Sequence, residues 1–240
     1  MLARARDGAV EGSWLYADEQ SGGRGRQGRR WVSPSGNLYA SGLVRVQRGD
    51  PPAPTLALVA GVAVWDVVAG VLQYLTDAGS GGRSRAAEVG ATGGKRLYLK
   101  WPNDLVINDA KLAGILLERE GDAVVIGVGL NLVHHPDLSD RTATNLAALG
   151  VNPPSAAEAV EALALAVARW LIIWRTLGLS EIISAWIDRA HLIGTPLAVD
   201  SGQGGRLAGQ FAGLDASGAL KLSLADGSIS VIHAGDVFLM

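Results

Sequence analysis

The sequence has no cysteine and few charged residues. The lack of cysteine among 240 residues excludes disulfides, thiolate metal sites and cysteine nucleophiles, and it is typical of a reducing compartment. Charged residues make up 18% and hydrophobic residues 48%, which indicates an ordered globular protein, because disordered chains carry more charge. The net charge of −2 gives no overall attraction to nucleic acid, so we expect no nucleic-acid partner.

The first 12 residues lack the apolar core of a signal peptide, and this favours a cytoplasmic location. One stretch, residues 56–75, is apolar and long enough to cross a bilayer. Asp66 lies at its centre, however, where a charge is costly in lipid. We therefore interpret the stretch as a packed core helix and expect no membrane association.

The order of the predicted elements favours an α+β fold with a mixed or antiparallel sheet and flanking helices. A low-complexity insertion is expected at residues 78–94, and an S-x-x-E capping box at Ser155 and Glu158 predicts the start of a long helix. After Thr195 short strands alternate with Gly-rich turns, and Leu220, Leu222 and Leu224 alternate with polar neighbours, which is typical of a small β-barrel. We predict a catalytic domain over residues 1–192 and a C-terminal β-barrel domain over residues 193–240.

Strands and helices are predicted from hydrophobic patterns, which have a period near 2 residues in a strand and near 3.6 residues in a helix. The strands before the C-terminal region are 14–17, 37–46, 96–100, 111–118 and 123–132, and the helices follow Pro54, run from Ser155 to about Leu177, and span 180–190.

The strongest local signal is DEQSGGRGRQGRRW, residues 18–31. Gly23, Gly25 and Gly28 match the spacing of a dinucleotide fingerprint, G-x-G-x-x-G. That fingerprint requires a helix immediately after the glycines, whereas here the chain continues into a turn at Ser33. We therefore reject the dinucleotide interpretation.

Arginines alternate with these glycines, and their guanidinium groups suit a ligand with several anionic oxygens. Trp31 follows them and could cover a bound ring. A solvated basic loop remains the alternative, because runs of arginine are usually solvent-exposed. The arginines concerned are Arg24, Arg26, Arg29 and Arg30.

The second signal is KWPNDLVINDAKLAGILLE, residues 100–118. A strand that ends in Lys-Trp-Pro-Asn-Asp brings a cation, an aromatic ring, an amide and a carboxylate to one rim. A tight turn at Asn108-Asp109 leads into the next strand, which Lys111 begins, and a lysine at the start of a strand is ordinarily exposed to solvent. The third signal is GVGLNL, residues 127–132, whose glycines permit close approach of a flat group; ordinary strand-end turn chemistry explains them equally well.

Jointly, in order and spacing, these motifs resemble the biotin protein ligase family over about residues 8–240. The resemblance implies a class II synthetase-like biotin/lipoate ligase fold with an SH3-like C-terminal barrel. It also implies ATP-dependent formation of biotinyl-AMP and transfer of biotin to a lysine, the reaction of a biotin-[acetyl-CoA-carboxylase] ligase. The implied substrates are ATP and biotin, with Mg²⁺, and the implied partner is a biotin carboxyl carrier protein.

The resemblance also implies roles for residues at matching positions. Arg24, Arg26 and Lys111 would be catalytic, and Asp104 would be a Mg²⁺ partner near the phosphates. Trp31 would cover the adenine, while Asn103 and Asn131 would help to hold the nucleotide. The complete set of expected biotin and adenylate contacts is Gln20, Gly23, Arg24, Gly25, Arg26, Trp31, Asn103, Lys111, Gly114 and Asn131.

One family feature has no match in this sequence. A Ser-Thr-Asn segment, which helps family members to bind the biotin ring, is absent, and we expect an N-terminally shortened chain. The alternatives are therefore a lipoate-type ligase that uses the same adenylation chemistry, or a non-catalytic adenylate-binding remnant. The resemblance also implies a homodimer.

Overall fold

The structure, a computed structural model, describes residues 1–29, 31–79, 96–137, 142–200 and 205–240. The predicted insertion at residues 78–94 falls largely outside the described residues. The helices are α1 (Leu2–Arg6), α2 (Leu56–Gly79), α3 (Ala156–Thr176) and α4 (Leu179–Ile187). The strands are β1 (Trp14–Ala17), β2 (Leu38–Arg45), β3 (Leu97–Lys100), β4 (Asp104–Ile107), β5 (Ala110–Glu120), β6 (Ala123–Leu130), β7 (Pro196–Asp200), β8 (Arg206–Leu214), β9 (Leu220–Ser223), β10 (Ile229–Ile232) and β11 (Asp236–Leu239).

The first six strands form one antiparallel sheet in the order β1-β2-β6-β5-β4-β3. Strands β3 to β6 are consecutive hairpins, which need only short connections. Asn108 and Asp109 both have positive φ, the geometry of a two-residue hairpin turn that Asn and Asp tolerate better than most residues. This turn fixes the pairing of β4 with β5 and thereby the positions of the side chains at the start of β5.

The apolar stretch predicted to be a core helix is the core helix α2. Leu56, Val59 and Val68 are fully buried against the sheet and the other helices. Residues 53–72 are long and apolar enough to cross a membrane by composition alone, but 67% of that stretch is buried within the protein. Its burial explains the apolar character without a bilayer.

The predicted capping box begins α3. The Glu158 backbone N–H donates to Ser155 Oγ at 3.2 Å, and the Glu158 carboxylate accepts from the Ser155 backbone N–H at 2.8 Å. Two backbone donors that a helix start would leave unpaired are satisfied in this way. The amphipathic helix then packs against α2, and α4 follows after Gly178, which has a positive φ.

The C-terminal strands form a second antiparallel sheet in the order β10-β9-β8-β7-β11. Leu220 and Leu222 are buried while Lys221 between them is partly exposed, as the alternating pattern predicts. The α+β class and a separate C-terminal β-sheet region are therefore confirmed. The boundary between residues 192 and 193 stays a prediction.

Candidate active site

A cavity of about 340 Å³ opens where the six-stranded sheet, the segment 20–33 and strand β11 meet. Most of the motif residues singled out from the sequence line it. Its charged side chains are five cations and three carboxylates, namely Arg24, Arg26, Arg29, Lys100 and Lys111 with Asp104, Glu118 and Asp236. The cavity therefore has an excess of positive charge although the whole chain is slightly acidic.

Residues 20–33, which we call the arginine loop, fold back on themselves like a hairpin. Backbone hydrogen bonds close it at three nested levels, Gln20 N to Ser33 O at 3.1 Å, Trp31 N to Gly23 O at 2.9 Å and Gly25 N to Arg29 O at 2.7 Å. A Cβ at Gly23 would overlap the Trp31 carbonyl oxygen and the Ser33 side chain, so only glycine fits there. The loop has a defined fold that brings Trp31 back to the sheet.

Carboxylates of the chain neutralise the arginines of this loop. Arg24 forms an ion pair with Glu118 at 3.0 Å, and both side chains are partly exposed to solvent. Arg29 forms an ion pair with Asp236 on β11, and Arg26 lies 3.8 Å from the same carboxylate. Arg30 lies outside the described residues. The three described arginines thus line the cavity beside carboxylates of the chain, and the oxygens of an anionic ligand can replace those carboxylates as their partners.

Trp31 lies on a wall made of two glycines. Gly114 of β5 and Gly129 of β6 are direct cross-strand partners. A Cβ at Gly129 would come 2.9 Å from the Trp31 indole, and one at Gly114 would come 3.1 Å from it. In the third motif, Gly129 permits the close approach of a flat group as predicted, and the flat group is the chain's own indole, whereas Gly127 faces Leu116 of the neighbouring strand.

Lys111 and Asp104 lie together at the mouth of the β4–β5 hairpin. Lys111 Nζ is 2.6 Å from Asp104 Oδ1, and their side chains are only 13% and 9% exposed. The ammonium also lies 5.1 Å from the centre of a Trp31 ring, a favourable cation–π distance. The solvent-facing position that is ordinary for such a lysine is therefore wrong here, and Lys111 is a cavity residue.

The three predicted amide contacts differ in their surroundings. Gln20 lines the cavity and accepts from Ser33 Oγ at 2.9 Å. Asn103 lines it too; its amide donates to the Ile115 carbonyl at 2.6 Å and accepts from Arg26 at 3.3 Å. Asn131 is 2% exposed and donates to the Thr144 carbonyl at 2.9 Å.

The structure thus brings the predicted residues together around one cavity, with Asn131 as the exception behind the wall. Its nucleotide contact stays a prediction, as do the roles of the others. Sequence reasoning missed Glu118 and Asp236 as partners of the arginines. Glu118 ends the second motif and was visible as an acidic residue beside it, whereas no local signal links Asp236 to a loop some two hundred positions away.

The resemblance implies a Mg²⁺ ion near Asp104. Among the residues that the structure describes, no group of three His, Asp or Glu side chains could hold a metal ion by itself. Mg²⁺ usually keeps several waters and is bound through one or two carboxylates together with substrate phosphates. Asp104 fits only that kind of site, as a single protein ligand to an ion that arrives with the nucleotide.

Two family profiles match the chain and divide it as the two sheets do. The profile of the biotin/lipoate A/B protein ligase family matches residues 9–131, and the profile of the biotin protein ligase C-terminal domain matches residues 199–240. The class of protein is therefore the biotin and lipoate protein ligases, and the C-terminal match is to a domain that is named for the biotin protein ligases.

Individual relatives agree with this class. The biotin–[acetyl-CoA-carboxylase] ligase of Paracoccus denitrificans is 35% identical, over 94% of this chain and 90% of its own length. The biotin protein ligase of Leishmania major in complex with biotinyl-5-AMP superimposes with a TM-score of 0.65 at 28% identity, covering 97% of this chain and 94% of that one. The biotin protein ligase of Aquifex aeolicus, in complex with biotin and ATP, shares the fold with a TM-score of 0.79 at 22% identity, covering 99% and 94%. The chain belongs to the biotin protein ligase family.

Proposed function

We propose that the cavity joins biotin to AMP and then passes the biotin to a lysine of an acceptor protein. The observation that carries this proposal is the convergence of the arginine loop and Lys111 on one cavity whose wall is the glycine pair. The glycine wall lets the Trp31 indole lie close to the sheet, and the indole and the cations line the same cavity. The relatives named as biotin ligases support biotin and ATP as the two substrates.

The first step requires charge neutralisation more than proton transfer. Biotin's carboxylate is ionised at neutral pH, so it needs no general base to attack. One carboxylate oxygen forms a bond to the α-phosphorus of ATP, the bond from that phosphorus to the bridging oxygen breaks, and pyrophosphate leaves. Both reactants are anions, so cations that hold them close lower the barrier.

We assign these cations by their positions in the cavity. Lys111 is a compact point charge held between Asp104 and the Trp31 ring, and we place it between the biotin carboxylate and the α-phosphate. Arg24 and Arg26 offer planar donors that can grip phosphate oxygens in pairs. Since Arg24 is bound to the partly exposed Glu118, recruiting it costs little in a surface ion pair.

The second step needs an acceptor amine. The ε-amino nitrogen of a lysine forms an amide bond with the biotinyl carbon, the bond to AMP breaks, and the amine loses its proton. Until the acceptor arrives, the closed arginine loop would shield the mixed anhydride from water. We propose a biotin carboxyl carrier protein of acetyl-CoA carboxylase or a similar carboxylase as the acceptor, because the relatives are named for that substrate.

We also propose a metal ion, a cellular location and an oligomeric state. Mg²⁺ bound to the ATP phosphates and to Asp104 would neutralise charge on the leaving pyrophosphate. A cytoplasmic location accords with the cysteine-free sequence and with ATP as a substrate. A homodimer follows from the family resemblance, and light scattering coupled to size-exclusion chromatography would test it.

Biotin-dependent exchange of labelled pyrophosphate into ATP tests the proposed function. We expect the purified chain to catalyse exchange with biotin and not with lipoate at the same concentration. Exchange with lipoate alone would contradict the assignment of biotin as substrate. Absence of exchange with either acid would contradict adenylation by this chain.

A further inference from the structure

The C-terminal sheet reaches the cavity through a single strand. Gly235, Asp236 and Val237, at the start of β11, stand at the cavity rim opposite the sheet that carries Lys111. β11 is held in place by antiparallel pairing with β7, in which Asp236 lies opposite Asp200. The carboxylate of Asp236 is therefore presented from regular structure rather than from a free loop.

The tip of the arginine loop is attached to this strand. Arg29 pairs with the Asp236 carboxylate, whose side chain is 18% exposed. Arg26 donates to the Gly235 carbonyl at 3.4 Å from both of its terminal nitrogens. On its other side Arg26 donates to Asn103, which lies in the turn between β3 and β4 of the six-stranded sheet. The loop tip thus spans the cavity mouth between the two sheets.

The attachment differs from an ordinary surface ion pair. One carboxylate faces two guanidinium groups from the same loop, and its partial burial reduces the screening by water that weakens exposed pairs. The backbone of the loop is closed by the nested hydrogen bonds up to Gly25 and Arg29 and by the bond from Arg29 N to Arg26 O at 3.2 Å, whereas the side chains of Arg26 and Arg29 are held from outside the loop backbone. Within the described residues, Asp236 is the carboxylate that fixes the two arginines.

Building on the proposed function, we infer that Asp236 is a positioning residue for the nucleotide: it holds Arg26 and Arg29 across the cavity mouth so that the loop is ordered before ATP arrives. A loop that is already ordered loses less conformational entropy on binding, which raises affinity. Arg29 is the closer partner of Asp236, so Arg26 keeps donors free to turn toward phosphate. The C-terminal sheet takes part in ATP binding by this route.

The variant Asp236→Asn tests the inference because it removes the charge and keeps the shape. We expect the KM for ATP in biotin-dependent pyrophosphate exchange to rise about tenfold with kcat changed less, and Asp236→Glu to restore much of the loss. Asp226→Asn is the matched control, since Asp226 caps an exposed turn of the same sheet by accepting from Ser228. In an Arg29→Gln background, Asp236→Asn should have a smaller effect, because the Arg29 contact is already lost and only the longer Arg26 contact remains.

Trypsin supplies a readout that does not depend on catalysis. Trypsin cleaves after arginine, so the rate of cleavage within residues 24–30 reports how firmly the loop is held. We expect Asp236→Asn to be cut there several times faster than the wild type or Asp226→Asn, with thermal unfolding unchanged. This arm remains informative if the wild type shows no biotin-dependent exchange, in which case the proposed function fails and the role of Asp236 in ordering the loop does not.

Two results would overturn the inference. Cleavage of Asp236→Asn at the wild-type rate would mean that Asp236 does not hold the loop. A KM for ATP that is unchanged or lower would mean that the carboxylate is irrelevant to the nucleotide or competes with its phosphates for the arginines.

Discussion

Two clusters of charged side chains use the same components for different purposes. In the helical layer, Asp66 accepts from Arg169, from Trp170 Nε1 at 2.8 Å and from Arg189 at 3.0 Å. Arg189 also lies between the rings of Trp65 and Trp170, at 4.9 and 5.4 Å from their centres. In the cavity, Lys111, Asp104 and Trp31 repeat the combination of cation, carboxylate and indole.

The two clusters differ in how completely the polar atoms are satisfied. The carboxylate of Asp66 binds donors from α3 and from the segment after α4, so it joins α2 to both of them. In the cavity, Trp31 Nε1 is buried and finds no acceptor among the described residues. A buried donor without a partner costs free energy, typically about 1–3 kcal/mol. The carboxylate of the helical cluster already has its hydrogen-bond donors. In the cavity cluster, a ligand that accepts a hydrogen bond from Trp31 Nε1 would remove the free-energy cost of the unpaired donor.

Removing the charge of Lys111, one of the cavity cations, should have the largest effect on catalysis. We expect Lys111→Met to slow biotin-dependent pyrophosphate exchange by about 10²–10³-fold, because a charge placed at the reacting phosphate is lost. Circular dichroism should show an intact fold. Exchange within a factor of a few of the wild type would contradict the role assigned to Lys111.

A buried histidine between the two sheets should make stability depend on pH. His191 is 6% exposed, lies 4.2 Å from the Tyr98 ring centre, and has an Nε2 without a hydrogen-bond partner among the described residues. Burial, aided by the positive charges of Lys100 and Arg96, lowers the pKa of His191 to about 4. The unfolded chain, with an ordinary histidine pKa near 6.5, therefore binds a proton over a range in which the folded chain does not.

Above about pH 6.5, His191 is neutral in both states and does not make the free energy of unfolding depend on pH. As the pH falls toward 4, protonation of the unfolded chain lowers the free energy of unfolding, by about 2 kcal/mol at pH 5 and about 3 kcal/mol at pH 4. We expect His191→Phe, which keeps a ring against Tyr98, to lose distinctly less stability between pH 7.5 and 5 in urea titrations. Parallel stability curves for the two proteins would show that His191 does not carry this dependence.

Breaking the helical cluster should affect stability and leave chemistry intact. We expect Asp66→Asn to lower the free energy of unfolding by about 2 kcal/mol, because two arginines lose a partly buried counter-charge. Asp122→Asn, which removes a solvent-exposed pair with Arg45, is the control and should cost less than about 1 kcal/mol. If Asp66→Asn slowed exchange as strongly as Lys111→Met, the distinction between the two clusters would be false.

The smallest effects are expected from replacing a glycine by alanine at two sites, one in the cavity wall and one on the surface of α2. Gly129→Ala places a methyl group against the Trp31 indole and should raise the KM for ATP about tenfold, because the ring that is expected to cover the adenine must move. Gly70→Ala, in an exposed turn of α2 with no neighbour within 4 Å, should instead stabilise the protein by about 0.5–1 kcal/mol. If the two substitutions had the same effects on KM and on stability, the cavity would not require glycine at position 129.

The parts of this account that could be predicted are those with local causes. The Asn108-Asp109 turn, the Ser155 capping box and the alternating leucines of β9 each depend on neighbours along the chain. The arginine loop was recognisable because glycine and arginine alternate within a few residues. The match to the family profiles confirms the family resemblance that the motifs carried.

The parts that could not be predicted depend on contacts between distant residues. Asp236 and Arg29 are 207 positions apart, and the sequence around either residue does not indicate that the two are in contact. Lys111 is drawn into the cavity by Asp104 and Trp31, although a lysine at a strand start is usually exposed. Asn131 shows the converse, since an amide at the end of a motif is used to hold the Thr144 backbone.

The central claim is that the cavity, and not the helical cluster, carries the chemistry. Single-turnover formation of biotinyl-adenylate from biotin and α-labelled ATP tests it most directly, with the wild type, Lys111→Met and Asp66→Asn compared at a temperature where all three are folded. We expect labelled adenylate at similar rates from the wild type and Asp66→Asn, and almost none from Lys111→Met. Equal rates from Lys111→Met and the wild type, or no adenylate from the wild type, would contradict it.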